Sequence, residues 1–454
     1  MRLESINAAT GEQLSAFDFW NDATLENALE SAAEASRAWR SRSVGERAEY
    51  VGALASHLRE RSDELARLAS LEMGKPVREA RAEVEKSAWA CEYYAEHAEA
   101  MLHAEPVSTD ASRSYIDYEP LGTVFAIMPW NFPFWQVFRH VAPTLAAGNT
   151  LLLKHAPNVP QIAAAIEDLI REAGIPEGVF VNLPIDIEQS AKVIADGRVH
   201  AVTLTGSERA GRNVAALAGQ NLKKAVLELG GSDPFIVLDD ADLDLVLSQA
   251  VTARFQNGGQ SCIAAKRMIL TEAIADAFVE RFVETVGALK VGDPLDEETR
   301  IGPMARADLR DQLAQQVERS IASGAQCRLG GHVLEGPGHF YAPTVLDHVG
   351  IGMPAYHEEL FGPVATMIRV QDADEALEVA NSSRFGLGGS IWTRDTARGE
   401  RLAQAIESGC AFVNGMVKSD PRLPFGGVKA SGYGRELGVQ GIHEFVNVKS
   451  IWIR

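Results

Sequence analysis

The sequence has few cysteines and no long apolar run. Only four of its 454 residues are cysteine, and their spacing matches neither paired metal ligands nor a dense disulfide framework. This predicts a cytoplasmic protein with free thiols and no metal site. No stretch approaches the roughly 20 apolar residues of a membrane span, and Met1–Ser5 does not begin a secretory signal. We therefore expect no membrane partner.

Positive charge is also scarce. The formal net charge is −19 at pH 7, from 62 acidic and 43 basic residues. A nucleic acid partner would need a basic face, so we expect none. We interpret the acidic surface as a source of solubility rather than as a ligand site. The 46% of hydrophobic residues allow a large core, and the length suits two or three domains of roughly 100–200 residues each.

The order of patterns along the chain predicts an α/β fold. Residues 24–103 have the composition and apolar spacing of helices. From Gly122 onward, short apolar runs alternate with helical segments, which is typical of parallel, doubly wound sheets. The predicted strands are 123–128, 150–154, 179–183, 201–205 and 225–229 in a first block, and 235–238, 266–270, 364–369, 389–392 and 411–414 in a second. We find no internal repeat.

The segment Gln256–Cys262 is the strongest candidate site. Its two glycines would let the backbone approach a substrate closely. A nucleophilic cysteine must be accessible, and its thiolate must be favoured. A cysteine without other signals is more often a buried structural thiol, and we interpret Cys91, Cys327 and Cys410 in that way.

The segment Leu227–Gly231 places a carboxylate, Glu228, at the end of a predicted strand and two glycines after it. In a doubly wound fold, such strand ends line the ligand crevice. A partly desolvated glutamate has a raised pKa and can serve as a general base. Taken alone, Glu228 would more often be an exposed loop residue.

The segment Met128–Pro133 contains two prolines and two aromatic residues, which restrict its backbone. Asn131 can direct its amide at a ligand, and with the backbone N–H of Cys262 it would form an oxyanion hole. The alternative interpretation is a rigid aromatic packing loop.

The segment Thr205–Gly211 follows a predicted strand and opens a helix, which is the setting for phosphate binding at a helix N-terminus. Its spacing is not GxGxxG. The segment alone is therefore a weak dinucleotide signal, and its glycines are also compatible with a tight turn.

Taken together, these motifs resemble the aldehyde dehydrogenase superfamily over essentially the whole chain. Matching segments include Ile6–Glu12, Glu358–Val364 and Pro424–Gly432, and Glu228 and Cys262 have the spacing of the family. The chain looks most like the succinate-semialdehyde dehydrogenase branch, which uses NAD or NADP. The branch implies a place in the degradation of γ-aminobutyrate (GABA).

The resemblance implies an aldehyde dehydrogenase-like α/β fold, with two doubly wound parallel-sheet domains and a small β oligomerisation arm. The NAD(P)-binding domain would comprise residues 1–110 and 121–230, the catalytic domain residues 231–432, and the arm residues 111–120 and 433–454. The segments Ser114–Tyr118 and Glu444–Ile453 predict exposed strands that fit this arm. We therefore expect a homodimer or homotetramer.

The resemblance implies a role for each catalytic candidate. Cys262 would be the nucleophile, Asn131 the oxyanion donor and Glu228 the base that hydrolyses the thioester. Some relatives carry a second cysteine two residues after the nucleophile, where this chain has Ala264. We therefore predict no disulfide lock beside Cys262.

The resemblance also implies a set of cofactor-binding residues. They are Trp130, Lys154, Gly206, Ser207, Gly211, Leu229, Glu359 and Phe361. Lys154 and Glu359 would bind ribose hydroxyls, Phe361 would pack near the nicotinamide, and Ser207 would meet the pyrophosphate. Relatives that prefer NAD have a glutamate where this chain has Pro157. Without that carboxylate a 2′-phosphate is not repelled, so both NAD and NADP are expected to bind.

The substrate implied by the branch, succinate semialdehyde, has a carboxylate remote from its aldehyde. The resemblance assigns this carboxylate to Arg139 and Ser419. A second arginine of the branch is Gln256 here, which weakens the predicted site, and Lys418 and Arg422 are candidates to compensate. Without the resemblance, Arg139 would equally be an arginine in a salt bridge.

Three alternatives stay open. A cofactor-independent thiol hydrolase or acyltransferase would use Cys262 but would need neither Ser207 nor Glu359. A non-catalytic structural member of the family would need no intact Cys262, Glu228 and Asn131. Within the family, the alternative is an enzyme for other aliphatic or aromatic aldehydes.

Overall fold

The computed structural model of the chain describes residues 2–454, which begin with an antiparallel hairpin and four helices. These elements are β1 (Arg2–Ile6), β2 (Gln13–Asp18), α1 (Asp22–Arg40), α2 (Val44–Glu60), α3 (Ser62–Met73) and α4 (Val77–Met101). Asn21 and Ser43 cap α1 and α2 with side-chain oxygens, which satisfy free N–H groups of the first turn. The predicted helical region is confirmed, whereas the hairpin was not expected.

The next part of the chain contains the first parallel sheet. Its elements are β3 (Glu105–Pro106), β4 (Arg113–Pro120), β5 (Thr123–Met128), α5 (Trp135–Ala146), β6 (Thr150–His155), α6 (Pro160–Glu172), β7 (Phe180–Asn182), α7 (Ile187–Ala195), β8 (Val199–Thr205), α8 (Glu208–Gln220) and β9 (Lys224–Glu228). Strands β5 to β9 are parallel in the order β9-β8-β5-β6-β7. The strand order therefore reverses between β5 and β8, and ligands bind at the carboxyl ends of strands at such a point.

The second sheet is also mostly parallel. Its part of the chain contains β10 (Pro234–Val237), α9 (Leu243–Phe255), β11 (Arg267–Thr271), α10 (Glu272–Gly287), α11 (Ala307–Ala322), β12 (Gln326–Leu329), β13 (Thr344–Asp347), α12 (Pro354–His357), β14 (Val364–Val370), α13 (Ala373–Asn381), β15 (Phe385–Gly386), β16 (Ser390–Trp392), α14 (Thr396–Ala405) and β17 (Phe412–Val413). The order is β12-β13-β14-β11-β10-β16-β17, and only β12 at the edge is antiparallel to its neighbour.

Apolar side chains cover both faces of each sheet. In β6, Leu151 and Leu153 belong to one core cluster and Leu152 to another, because successive side chains of a strand point to opposite faces. In β10, Ile236 and Phe235 are divided in the same way. Burial on both faces explains the continuous apolar runs from which parallel strands were predicted.

The last elements connect the second sheet back to the first. They are β18 (Val428–Lys429), β19 (Gly432–Tyr433), α15 (Gly438–His443) and β20 (Val446–Ile453). Strand β19 pairs with β9 so that Gly432 faces Glu228. Strand β20 pairs antiparallel with β4, which also pairs with β3. The two predicted exposed strands are therefore partners of one another in a small antiparallel sheet.

The predicted fold class is confirmed, since two parallel sheets flanked by helices accompany a small antiparallel sheet. The domain boundaries drawn from the resemblance stay a prediction. Within residues 2–454, no helix combines the length and the apolar character that a bilayer crossing requires.

Candidate active site

A cavity of about 590 Å³ lies at the carboxyl ends of β5 and β8, where the strand order reverses. Residues of the second sheet region form its other wall. The cavity brings together eight of the residues predicted from the sequence. These are Trp130, Asn131, Gly206, Ser207, Leu229, Cys262, Glu359 and Phe361.

A second cavity of about 170 Å³ contains the three residues predicted for the substrate carboxylate. Arg139, Gln256 and Ser419 line it. Cys262 and Gln136 line both cavities, so the thiol lies where the two spaces meet. A group bound in the first cavity and a group bound in the second would both reach the sulfur.

The loop that carries Cys262 has an unusual backbone conformation. Helix α9 ends at Phe255, and Asn257, Gly258 and Gly259 follow with φ values of 57°, 61° and 72°. A Cβ on Gly259 would collide with the carbonyl oxygen of Gly362. Only glycine fits this close approach without strain.

Polar contacts hold the same loop against the segment that follows β5. The backbone N–H of Asn257 donates to Glu79 Oε2 at 2.6 Å, and its side-chain amide donates to the Asn131 carbonyl at 2.7 Å. The Asn131 amide donates in return to the Gln260 carbonyl at 3.0 Å. Asn131 and the loop that carries Cys262 are therefore held in register, and one N–H of the Asn131 amide is left for a ligand.

Cys262 is half-buried, and burial raises the pKa of its thiol to about 12. The nearby ammonium of Lys266 and guanidinium of Arg139 oppose this shift without cancelling it. Lys266 also donates to the carbonyl oxygens of Ser261 and Cys262, at 2.7 and 2.8 Å. The neutral thiol therefore predominates in this state, unlike the favoured thiolate that the sequence analysis expects, because desolvation exceeds the effect of the cations.

Glu228 is the last residue of β9, and its side chain is only 2% exposed. Burial raises its pKa well above 4.5, and the neighbouring carboxyl of Glu436 raises it further. A raised pKa suits a general base at neutral pH. The carboxyl lies beside Gly426 and lines neither cavity in this conformation.

The predicted carboxylate receptor Arg139 already has an acidic partner. Its Nε lies 2.5 Å from Oε2 of Glu436, and both side chains are 3% exposed. Its Nη2 also donates to Thr205 Oγ1 at 3.3 Å. Arg139 therefore lines the second cavity but is already paired with Glu436, a residue that lies in none of the sequence motifs.

The predicted cofactor residues form three kinds of contact surface in the first cavity. Ser207 caps α8 by accepting from the Ala210 N–H at 3.3 Å, which leaves the helix N-terminus at the cavity wall. Trp130 and Phe361 lie edge to face with centroids 5.8 Å apart. Glu359 accepts from Lys266 Nζ at 3.1 Å and lines the cavity. N–H groups, aromatic faces and a carboxylate suit the phosphate, ring and ribose parts of a dinucleotide.

Two further predicted cofactor residues do not line the first cavity. Gly211 packs so closely that a Cβ there would lie 2.6 Å from the Leu229 side chain, so its effect is on the position of α8. Lys154 is the penultimate residue of β6, and burial lowers its pKa while Asp186 opposes that shift. Pro157 follows in the turn after β6.

Several residues at the site were missed because their partners are far away in sequence. Lys86 donates to Ser419 Oγ at 2.8 Å across 333 residues. Lys266 and Glu436 also meet their partners across long separations. A basic residue in an alanine-rich helix was the only available signal for Lys86.

All four cysteines are free. Cys91 is buried, as expected for a structural thiol, and Cys410 is half-buried, but the interpretation is wrong for Cys327, which is exposed because it lies in the edge strand β12. Within residues 2–454, no group of three or more His, Cys, Asp or Glu residues could hold a metal ion.

Comparisons with known proteins agree with this geometry. A protein-family model described as "Aldehyde dehydrogenase family" matches residues 1–451 of this chain. The NAD(P)+-dependent succinate semialdehyde dehydrogenase Sad of Escherichia coli strain K12 is 52% identical over 448 residues, which are 99% of this chain and 97% of Sad. An NADP+-dependent succinate-semialdehyde dehydrogenase of Mycolicibacterium paratuberculosis is 50% identical over 457 residues, which cover 100% of this chain and 97% of the relative.

Solved structures agree with the sequence relatives. The crystal structure of succinic semialdehyde dehydrogenase from Streptococcus pyogenes in complex with NADP+ superposes with a TM-score of 0.98 at 40% identity. The match covers 99% of each chain. The family resemblance inferred from the motifs is confirmed, and this chain belongs to the aldehyde dehydrogenase family.

Proposed function

We propose that this protein oxidises succinate semialdehyde to succinate with NAD or NADP as the hydride acceptor. The position of Cys262 is the observation that carries the proposal. The thiol lies between a cavity at the nucleotide-binding edge of a parallel sheet and a smaller cavity with cationic and hydroxyl groups. The names of the relatives at 50% and 52% identity support this substrate.

Cys262 would attack the aldehyde carbon as a thiolate. Because burial raises the pKa of the thiol, the reaction requires proton loss that the environment of the free enzyme does not favour. Lys266 has the largest opposing effect and lowers the pKa. The Asn131 amide and the Cys262 backbone N–H would donate to the oxyanion that forms.

The first cavity would hold the cofactor. Ser207 and the N-terminus of α8 would bind the pyrophosphate, Glu359 a ribose, and Trp130 and Phe361 the nicotinamide region. When bound, NAD(P) supplies the acceptor for the hydride that leaves the adduct on Cys262, so that a thioester remains. Pro157 places no carboxylate against a 2′-phosphate, which supports acceptance of both cofactors.

Glu228 would remove a proton from the water that hydrolyses the thioester. Burial and the neighbouring Glu436 raise the pKa of its carboxyl, which makes it a stronger base than an exposed glutamate. Since the carboxyl lines neither cavity here, we expect the side chain to rotate towards Cys262 during this step. In the overall reaction, an aldehyde, water and NAD(P)+ give a carboxylic acid, NAD(P)H and a proton.

A substrate panel tests this function. Purified protein is assayed with succinate semialdehyde, butanal and benzaldehyde, each with NAD and with NADP, by formation of reduced cofactor. We expect the highest kcat/KM for succinate semialdehyde and activity with both cofactors. Equal values for all three aldehydes would instead favour a broad-specificity enzyme.

The same assay separates the alternative chemistry. A cofactor-independent thiol hydrolase would cleave p-nitrophenyl acetate but would form no reduced cofactor from any aldehyde. We expect Cys262→Ala to lose aldehyde oxidation by several orders of magnitude. Aldehyde oxidation at the parental rate by this variant would contradict the whole proposal.

We also propose that the protein is a cytoplasmic homo-oligomer. Its small antiparallel sheet ends in the exposed strand β20, which supports association with a second copy. The free thiols suit a reducing compartment. The role in GABA degradation stays a prediction.

A further inference from the structure

Three basic residues line the second cavity, and they differ in how free their charges are. They are Lys86, Arg139 and Lys418. Arg139 is paired with Glu436, and Lys418 is exposed to solvent. Lys86 is half-buried, and among residues 2–454 no carboxylate oxygen lies within 4.0 Å of its ammonium. Lys418 also lacks a carboxylate partner, but water screens its exposed charge. Lys86 is therefore the half-buried cation of this cavity that a ligand can still neutralise.

The two carboxylates whose charges raise the pKa of Lys86, those of Glu83 and Asp420, are already engaged in other contacts. Glu83 pairs with the buried Lys75 and accepts from the backbone N–H groups of Phe134 and Trp135 at 2.8 and 3.0 Å. Asp420 accepts from the guanidinium of Arg422 at 2.7 and 2.8 Å. These contacts hold both acids, so neither forms an ion pair with Lys86.

The contacts that Lys86 does make are those of a pre-positioned donor. Its Nζ donates to Ser419 Oγ at 2.8 Å and lies 4.3 Å from the centre of the Trp135 ring. An ammonium has three N–H donors, so two remain. Because Ser419 accepts from Lys86, its own hydroxyl hydrogen is free to point into the cavity.

We propose that Lys86 and Ser419 together bind the remote carboxylate of the substrate, and that Lys86 supplies the positive charge previously expected from Arg139. This inference deepens the proposed function and rests on it. One carboxylate oxygen would accept from the ammonium, and the other would accept from the hydroxyl. Cys262 in the wall of the same cavity would then meet the aldehyde end of a short chain. The neutral Gln256 is compatible with this assignment, because the positive charge comes from Lys86 on helix α4.

The electrostatics of the cavity support this assignment. Burial lowers the pKa of Lys86 to about 8, and the charges of Arg139 and Lys418 lower it while those of Glu83 and Asp420 raise it. A buried ammonium without a partner is unfavourable, and a bound carboxylate would provide that partner. Substrate binding should therefore favour the charged form of Lys86.

The test compares two aldehydes of equal chain length, succinate semialdehyde and butanal, in Lys86→Met and in wild type. Loss of a charge-assisted hydrogen bond should lower the ratio of kcat/KM for succinate semialdehyde to that for butanal by about 10- to 100-fold, mainly through KM. Lys86→Arg should restore part of the ratio. Lys290→Met removes a surface lysine paired with Asp296 and should leave the ratio as in wild type.

The outcomes separate this inference from the function on which it rests. If wild type does not prefer succinate semialdehyde over butanal, the proposed function fails. If wild type prefers it but Lys86→Met keeps the wild-type ratio, or loses both activities in proportion, the assignment of Lys86 is overturned.

A measurement on wild type keeps the inference testable should Lys86→Met fold poorly. Loss of the Lys86 proton near pH 8 weakens binding of the acid substrate only. Glu79 also lines this cavity, and burial raises its pKa to about 7, so it loses its proton before Lys86 does. The ratio of the two kcat/KM values should therefore fall as the pH rises from 8.5 to 9.5, by up to tenfold per pH unit. A constant ratio over this range would overturn the assignment.

Discussion

At the scale of single residues, burial of Cys262 works against its reactivity, because it disfavours the thiolate. The loop places the thiol between the two cavities, and desolvation there raises its pKa to about 12. The charge of Lys266 opposes this rise in pKa. Two of its N–H groups, however, donate to the carbonyl oxygens of Ser261 and Cys262. Without ligands, Cys262 should therefore react slowly with reagents that need a thiolate.

This conflict predicts the pH dependence of Cys262 alkylation. A raised pKa means that the thiolate fraction is small at pH 7 and grows about tenfold per pH unit. The rate of reaction with iodoacetamide in the free enzyme should therefore rise from pH 7 to 10 without a plateau, as followed by peptide mass spectrometry. Lys266→Met should slow the reaction at each pH. A plateau near pH 7 would show that the thiol is already activated without ligands.

Arg139 and Glu436 should be coupled in stability. Arg139→Met leaves a buried carboxyl without its cation, which costs about 3–5 kcal/mol of the free energy of unfolding. Adding Glu436→Gln removes that charge and should recover most of the loss. Urea unfolding of both single variants and the double variant measures this coupling energy.

The pH dependence of the single variant checks the cause. Burial raises the pKa of Glu436, so the carboxyl takes up a proton in the folded state more readily than in the unfolded state. The destabilisation of Arg139→Met should therefore shrink as the pH falls and grow as it rises. Additive effects of the two substitutions at pH 7 would contradict the pairing. A loss of activity in Arg139→Met alone is not evidence of substrate contact.

At the scale of elements, the loop after α9 depends on backbone shape rather than on side chains. Gly259 has a φ of 72°, and a Cβ there would collide with the Gly362 carbonyl. Gly259→Ala should cost at least about 1–2 kcal/mol from the left-handed conformation alone, and it should lower kcat by moving Cys262.

Gly219→Ala is the matched control for this substitution. Gly219 lies in α8, and a Cβ there would have no neighbour within 4 Å. This change should stabilise the helix by up to about 1 kcal/mol and leave kcat as in wild type. Thermal unfolding and steady-state kinetics of both variants provide the comparison. Wild-type kcat in Gly259→Ala would mean that the loop can adapt.

The elements that the sequence predicted best are those buried on both faces. Strand β5 has the predicted bounds, and β9 differs by one residue at each end. The hairpin of β1 and β2 was missed because most of its residues are exposed and show no apolar alternation. Exposed β12 was missed for the same reason. An alternating apolar pattern marks a strand only where one of its faces is buried, and most residues of β1, β2 and β12 are exposed or half-buried.

The candidate site was predicted from the sequence only where its residues lie in motifs. The segments around Asn131, Glu228 and Cys262 carry recognisable local patterns, and the structure brings Asn131 and Cys262 to one cavity. Lys86 and Glu436 carry no such pattern. Their roles arise from contacts with Ser419 and Arg139, which only the folded chain brings close.

At the scale of the whole molecule, the small antiparallel sheet exposes an apolar edge. Strand β20 lies at the end of that sheet, and Val448, Trp452 and Ile453 are 59%, 53% and 43% exposed. An edge strand with unpaired backbone groups and large apolar side chains is an association surface. The chain folds back so that this strand pairs with β4, which lies more than 300 residues earlier in the sequence.

Association should therefore depend on β20. Light scattering of the wild type should give at least twice the chain mass of 49.1 kDa. Trp452→Glu places a charge on the exposed edge, where burial against a second copy would be costly, and should shift the population towards monomer. Ile351→Glu changes an apolar residue that is 83% exposed elsewhere and should keep the wild-type mass. A monomeric wild type would refute association, and an oligomeric Trp452→Glu protein would place the interface on another surface.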